Sequence, residues 1–114
     1  MARIFQVAYD QSLLAIRQEM LKTAGFDVVS AQGNQAAREM LSENHAYDLI
    51  VVGWSAGDHP RRDIVTWIKQ RWPQLRVIAL HDTRNHPIPD ADYNSASENP
   101  HEWFEAVKSA AAAA

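Results

Sequence analysis

Two short segments of the chain are apolar at every position, Leu49–Val52 and residues 77–80. A strand with one face in water alternates apolar and polar residues, whereas a parallel strand covered by helices on both faces is apolar throughout. The two segments are therefore predicted to be central strands of a parallel sheet. Parallel neighbours need a long crossover connection, and the segment between these two carries apolar residues at helical spacing.

The rest of the chain continues this alternation of strands and helices. Residues 4–8 and 26–31 are predicted strands. Between them, Ser12 is a candidate N-cap and Gly25 a candidate C-cap of the first helix. The apolar residues predicted to face the core from the four helices are Leu13, Ile16, Met20 and Ala24; Ala36, Ala37, Met40 and Leu41; Ile64, Trp67, Ile68 and Trp72; and Trp103, Phe104 and Val107.

The segment after the fourth strand differs from the other connections. Residues 83–90 contain Pro87 and Pro89 and show no apolar face at helical spacing. Proline removes a backbone donor and clashes with the preceding helical turn. We therefore predict no helix of more than about one turn between the fourth and fifth strands.

The alternation of strands and helices favours right-handed βαβ units. The predicted fold class is α/β, a flavodoxin-like (βα)5 three-layer sandwich with parallel strand order 2-1-3-4-5 and a shortened or absent fourth helix. The 114 residues are enough for one domain, 1–114. Ligands of such folds bind beyond the carboxyl ends of strands one and three, where the predicted residues are Ala8, Tyr9, Asp10, Gly53, Trp54, His81 and Asp82.

Composition narrows the classes of function. The formal net charge of −3 argues against direct nucleic-acid binding, which uses a basic surface. The absence of cysteine excludes disulfides and thiolate metal sites. Apolar runs span only a handful of residues and the N-terminus lacks a signal-peptide pattern, so we expect a cytoplasmic domain with no membrane association.

Several motifs, taken in order, resemble those of a known family. An opening strand at residues 3–7 is followed by Asp10-Gln11-Ser12, and Ala24-Gly25-Phe26 forms a helix–glycine–strand junction. Tyr47-Asp48 leads into the apolar third strand, and Asn99-Pro100 precedes the last helix. In these motifs essentially the whole chain resembles the receiver domain of bacterial two-component response regulators, the CheY-like superfamily.

The resemblance implies a phosphorylation site whose functional groups are missing. Receivers use two acidic residues to hold Mg²⁺, an aspartate to accept phosphate, a hydroxyl and a lysine. The matching positions carry Ala8, Tyr9, Gly53, His81 and Ala96. Phosphoryl transfer needs a nucleophile and positioned charge, so the resemblance implies a degenerate pseudo-receiver that is not an enzyme and holds no metal or cofactor.

Four further residues near the crevice are candidates for other roles. A convergence of Asp10, His81 and Asp82 would suit a divalent metal, which leaves open an alternative function as a small-molecule or metal-binding domain that uses the crevice. Trp54 either fills the space vacated at Gly53 or belongs to a protein-binding surface. Tyr93 matches the family's switch aromatic, and we interpret it as a strand aromatic that packs on the sheet. The other histidines, predicted to be solvated or to cap helices, are His45, His59, His86 and His101.

The expected function is that of a phosphorylation-independent interaction or signalling module. Its partner would be another protein, either a signalling component or an output domain, including one that follows Ala114 in a longer chain. Self-association is expected through the first and last helices, because the fourth helix that receivers commonly use is missing.

Overall fold

The computed structural model describes residues 2–96 and 99–113. Strands and helices alternate up to the fourth strand, after which two strands follow each other before the last helix. The elements are β1 (Arg3–Ala8), α1 (Gln11–Thr23), β2 (Asp27–Gln32), α2 (Asn34–Glu43), β3 (Leu49–Val52), α3 (Asp58–Arg71), β4 (Val77–His81), β5 (Tyr93–Ala96) and α4 (Pro100–Ala113).

The five strands form one parallel sheet in the order β2-β1-β3-β4-β5. Along β3, Leu49 and Val51 pack with buried residues of α1 and α4, whereas Ile50 and Val52 pack with those of α2 and α3. The strand is therefore covered on both faces, which explains why it is apolar at every position. The predicted fold class, strand order and central strands are confirmed.

The buried face of α1 differs from the prediction. Ile16 is 57% exposed and Ala24 is also exposed, whereas the fully buried positions of this helix are Arg17 and Leu21. The predicted face is rotated by about one position because it followed apolar residues alone and therefore left out Arg17. The N-cap was also wrong: it is Asp10, whose Oδ1 accepts hydrogen bonds from the backbone amides of Ser12 and Leu13, at 2.9 and 3.0 Å.

The helical aromatic residues are less deeply buried than predicted. Trp103 is 4% exposed and belongs to the core, but Trp67, Trp72 and Phe104 are only partly buried against it. The rings of Trp67 and Trp72 meet edge to face at a centroid distance of 5.4 Å. Among the described residues, no helix has the length and apolar character needed to cross a bilayer.

The connection between β4 and β5 contains no helix, as predicted. Its centre is anchored by Ile88, which is fully buried beside the α2 and α3 face of the sheet. The Asn94 side chain holds the backbone of Ile88 on both sides: Oδ1 accepts from Ile88 N at 2.7 Å and Nδ2 donates to Ile88 O at 3.1 Å. One apolar side chain and one amide thus fix a segment in which receivers carry a helix.

Candidate functional site

The five positions that match the receiver phosphorylation site meet at one edge of the sheet. β1 ends at Ala8, β4 ends at His81, β5 ends at Ala96, and Gly53 follows β3. His81 and Ala96 are direct neighbours in the β4–β5 register. Because all strands are parallel, their carboxyl ends share this edge, as the sequence predicted.

Gly53 is needed for space rather than for backbone freedom. Among the described residues, the glycines with positive φ are Gly25 and Gly33. A Cβ atom at position 53 would lie 2.8 Å from Nη1 and 3.3 Å from Nη2 of Arg17. The Arg17 guanidinium therefore fills the volume that an aspartate side chain at this position would occupy.

Arg17 reaches this place from the second turn of α1 and is only 3% exposed. Its Nη1 donates to the side-chain Oε1 of Gln6, a buried residue of β1, at 3.2 Å. Its Nη2 is buried and has no hydrogen-bond partner within the described part of the chain. Burial lowers the pKa of Arg17 to about 10, partly offset by the Asp10 carboxylate, so the group stays charged at neutral pH.

The partner of Arg17 belongs to a polar network between the sheet and α1. Gln6 Nε2 donates to Ser30 Oγ at 2.9 Å, and Ser30 Oγ donates to Gln18 Oε1 at 2.8 Å. Gln6 Nε2 also lies 3.3 Å from the carbonyl oxygen of Leu14. The network fixes the Gln6 amide with its oxygen toward Arg17.

A second arginine approaches Gly53 from α3. Arg61 is fully buried, and its Nε donates to the carbonyl oxygen of Gly53 at 3.3 Å. Its Nη1 donates to His86 O at 3.1 Å, and its Nη2 donates to Leu80 O. Burial lowers the pKa of Arg61, and the nearby Asp58 carboxylate opposes that effect. Arg61 thus joins β3, β4 and the connection after β4.

Asp58 is the carboxylate that contacts both Arg61 and His86. Its Oδ1 accepts from Arg61 Nη1 at 3.3 Å and from the backbone amide of His86 at 2.9 Å. Its Oδ2 lies 2.6 Å from His86 Nδ1. The hydrogen bond from the His86 amide, followed by that from its ring, holds the pKa of Asp58 below its usual value. His86 was predicted to be solvated, and its ring is exposed, yet it anchors the loop to α3.

Tyr9 points away from any metal-binding arrangement. Its hydroxyl donates to Asn34 Oδ1 at 2.7 Å, and Asn34 Nδ2 donates to the carbonyl oxygen of Pro60 at 2.8 Å. Burial raises the pKa of the Tyr9 phenol above its usual value, although Arg61 opposes the shift. Tyr9 is therefore a neutral donor that ties β1 to α2 and α3.

The convergence of Asp10, His81 and Asp82 on a metal, left open as an alternative by the sequence, is not seen among the described residues. Asp10 caps α1, and both Oδ2–guanidinium contacts of Asp82 go to Arg84, at 3.0 Å from Nε and 2.8 Å from Nη2. Burial would raise the pKa of Asp82, but the hydrogen bonds from Arg84 outweigh it and lower the pKa. Within residues 2–96 and 99–113, no group of three His, Asp or Glu side chains is placed to hold a metal ion.

Trp54 lies beside a shallow cavity of about 210 Å³ next to this edge. The indole is partly buried against the core that α1 and α4 cover, and the guanidinium of Arg84 lies 5.5 Å from its ring centroid. Asn85 also lines the cavity, and its Nδ2 donates to the carbonyl oxygen of Trp54 at 2.7 Å. Asp82 also lines the cavity. Tyr93 lies apart on β5, where its hydroxyl accepts from Arg76 Nη1 at 2.7 Å, in agreement with a packing role.

The two arginines were missed by sequence analysis, although a signal for each is present. Arg17 continues the row formed by Leu14 and Leu21, and Arg61 continues the row that includes Ile64 and Ile68. A charged residue in register with an apolar stripe, one turn from the carboxyl edge of a parallel sheet, marks a side chain that is directed into the crevice.

Comparison with known structures identifies the architecture. No protein-family model and no curated protein sequence matches the chain. The response regulator TrrA of Thermotoga maritima, solved with Mg²⁺–BeF, is similar over 96% of this chain and 99% of that one, with a TM-score of 0.83 and 20% identity. A receiver domain protein of Clostridium thermocellum gives 0.81 and 18%, over 97% and 94% of the two chains. TrrA bound to the histidine kinase ThkA gives 0.76 and 21%, over 96% and 98%. The chain therefore has the fold of the CheY-like response regulator receiver domains.

Proposed function

We propose that this chain is a pseudo-receiver, a signalling or interaction module that works without phosphorylation and without catalysis. The observation that carries the proposal is the Arg17 guanidinium at the place of an acceptor side chain on Gly53. A carboxylate nucleophile is missing there, and the metal-ligand positions carry Ala8 and Tyr9. Mg²⁺ prefers several hard oxygen ligands, which these side chains do not provide.

The charge at the crevice also supports this proposal. Receiver chemistry needs a bound cation beside a carboxylate so that the incoming phosphoryl group is neutralised. In this chain two buried guanidiniums, Arg17 and Arg61, flank Gly53. Cations attached to the chain repel Mg²⁺, so metal binding of the receiver type is disfavoured by both the missing ligands and the resident charges.

The direct test is intact-mass spectrometry after treatment with acetyl phosphate and Mg²⁺, using an active receiver domain as the positive control. We expect no stable phosphate adduct on the wild-type chain or on the Gly53→Asp variant. In that variant the new carboxylate would face Arg17 instead of a metal ion, and each missing electrostatic contact costs on the order of 10²–10³ in rate. A stable adduct at position 53 in the single variant would contradict the proposal.

A combined variant tests whether the groups named above are the cause. It carries Gly53→Asp, acids at Ala8 and Tyr9, a hydroxyl residue at His81, lysine at Ala96, and Arg17→Ala to clear the acceptor volume. We expect measurable labelling only when Arg17→Ala is included. Labelling of the same variant with Arg17 retained would show that the guanidinium does not obstruct the site.

A protein partner is the second part of the proposal. The neighbouring protein TrrA is seen in complex with a histidine kinase, so this fold supports partner binding. For this chain we propose the surface formed by Trp54 and Arg84, because tryptophan and arginine dominate binding energy at interfaces. Trp67 is a matched control, since it is also partly buried and carries Arg71 at 4.8 Å from its ring centroid.

The binding test compares Trp54→Ala with Trp67→Ala as bait in pull-downs from the native host, with quantitative mass spectrometry. A specific partner should be lost with Trp54→Ala and retained with Trp67→Ala. Equal loss with both variants would indicate a general stability effect. Equal retention would exclude this surface.

For self-association we propose the surface of the first and last helices. Among the described residues, Ile16 on α1 is a large apolar side chain that is 57% exposed to solvent, and it is therefore available for an apolar contact between two copies. Sedimentation velocity of wild type and Ile16→Glu tests this: a dimer that persists in the variant would place the interface elsewhere.

A further inference from the structure

The charge of Arg17 is only partly compensated by the described residues around it. The Arg17 side chain is 3% exposed, and the carboxylate that acts on its charge is that of the solvent-exposed Asp10. Among the described residues, no carboxylate lies within ion-pair distance of Arg17. A buried charge is costly unless it is paired and hydrogen-bonded. Among the described residues, the acceptor of Arg17 is the Gln6 amide oxygen, which is neutral.

The hydrogen-bonding capacity of the same guanidinium is also incomplete. Nη2 is buried and has no partner within residues 2–96 and 99–113, whereas in Arg61 every guanidinium nitrogen has an acceptor. Buried polar atoms are rarely left without a partner, and an exception calls for a bound water, ion or ligand. Nη2 lies 3.3 Å from the position that a Cβ atom of residue 53 would take, at the carboxyl edge where ligands of this fold class bind.

We propose that this edge binds a small oxyanion, of phosphate or carboxylate type, through Arg17. The planar guanidinium is suited to donate hydrogen bonds to two oxygens of such a group at once. The anion would supply both the missing acceptor for Nη2 and the missing negative charge. The site would invert the receiver arrangement: the cation is part of the chain and the anion is bound without a covalent bond.

The experiment uses the full chain and two probes, inorganic phosphate and acetate, each titrated at constant ionic strength against chloride. The first readout is the arginine Nε–H region of a ¹H–¹⁵N spectrum, with the Arg17 signal assigned by its loss in Arg17→Met. The second is the thermal midpoint of unfolding. Arg62→Met is the matched control, because it removes the same charge from an exposed position on α3.

We expect a saturable shift of the Arg17 signal with phosphate, acetate or both. Binding to the folded state alone raises the folded-to-unfolded ratio about 100-fold at 100 times Kd, so the midpoint should rise by several degrees. Phosphate also stabilises proteins generally, hence the decisive quantity is the difference between wild type and Arg17→Met. The Arg62→Met variant should keep the wild-type response.

The two probes separate the sources of the anion. A response to phosphate alone indicates a free or esterified phosphate, and a response to acetate indicates a carboxylate such as an acidic side chain of a partner. No saturable shift with either probe, or an equal midpoint rise in Arg17→Met, would overturn the proposal. The outcome is independent of phosphorylation: acetyl phosphate labelling tests a covalent bond at position 53, whereas this titration tests reversible binding at Arg17.

Discussion

The two buried arginines beside Gly53 differ in how completely hydrogen bonds within the protein replace the water lost on burial. Arg61 donates from all three guanidinium nitrogens to carbonyl oxygens of three segments and has Asp58 nearby. In the part of the chain that the structure describes, Arg17 has one neutral acceptor and an unpartnered Nη2. The degree of burial alone therefore does not give the contribution of a charged side chain to folding stability, because that contribution depends on the hydrogen bonds that replace water.

The difference assigns them different roles. Arg61 holds the connection after β4 in place of a helix, so its contacts are structural. Within the described part of the chain, Arg17 donates to the Gln6 side chain and presents an unpartnered donor at the edge where ligands of this fold class bind. Removing each side chain in turn tests whether the two arginines differ in this way.

The largest effect is expected from Arg61→Met. The substitution keeps much of the volume but leaves the carbonyl oxygens of Gly53, Leu80 and His86 without this donor, and the first two of these hydrogen bonds are buried. We expect the free energy of unfolding to fall by about 3–5 kcal/mol, with loosening of the β4–β5 connection. Urea denaturation and hydrogen exchange at residues 82–92 measure both effects. A loss below about 1 kcal/mol would show that the loop holds without Arg61.

Arg17→Met should act in the opposite direction. Replacing an uncompensated buried charge by an apolar side chain of similar size is often neutral or stabilising, so the free energy of unfolding should stay unchanged or rise by up to about 2 kcal/mol in chloride buffer. Urea denaturation alongside Arg61→Met makes the comparison direct. If both variants lost the same stability, Arg17 and Arg61 would have the same structural role.

Gly53→Ala tests the contact between position 53 and Arg17. The added Cβ would lie 2.8 Å from Nη1, the end of a flexible side chain, and 3.3 Å from the carbonyl oxygen of Val7. We expect a cost of about 1 kcal/mol, because the guanidinium must shift. In the Arg17→Met background the cost should largely vanish, and a double-mutant cycle measures that coupling. Additive effects would mean that the backbone of Val7, and not Arg17, is the obstacle.

The smallest effect is expected from Asp58→Asn, and it depends on pH. The folded-state pKa of Asp58 is lowered, mainly by the His86 amide and ring. Its stabilising contribution is therefore present above the unfolded pKa, about 3.9, and is lost as the pH falls through the folded value. The stability difference between wild type and Asp58→Asn should shrink below about pH 4, as followed by thermal unfolding. Glu43→Gln, an exposed charge-matched change, is the control; a pH-independent difference would contradict the expectation.

Much of the fold could be predicted from local patterns. The uninterrupted apolar runs of β3 and β4 indicated buried parallel strands, and Pro87 and Pro89 excluded a helix, because these signals depend on only a few neighbouring residues. The placement of Ala8 and Gly53 at one edge followed from the topology alone.

The contents of the site could not be predicted in the same way. Arg17 and Arg61 lie on the buried stripes of their helices, yet an arginine is rarely buried without acceptors from the rest of the fold. These acceptors are the Gln6 side chain for Arg17 and backbone carbonyl oxygens for Arg61, and helical spacing does not reveal them. The Asp10 cap was missed for a related reason, since both Asp10 and Ser12 are good N-cap residues and only the backbone geometry decides between them.

The attachment of Arg17 and Arg61 to the chain has a consequence for occupancy. A bound metal ion is present in proportion to its concentration and can be removed by a chelator, whereas a tethered guanidinium has a local concentration that geometry fixes. Folding therefore places the positive charge at this edge, and the charge leaves the edge only when α1 and α3 detach from the sheet. Magnesium depletion leaves it unchanged, and heat or denaturant removes it together with the rest of the structure.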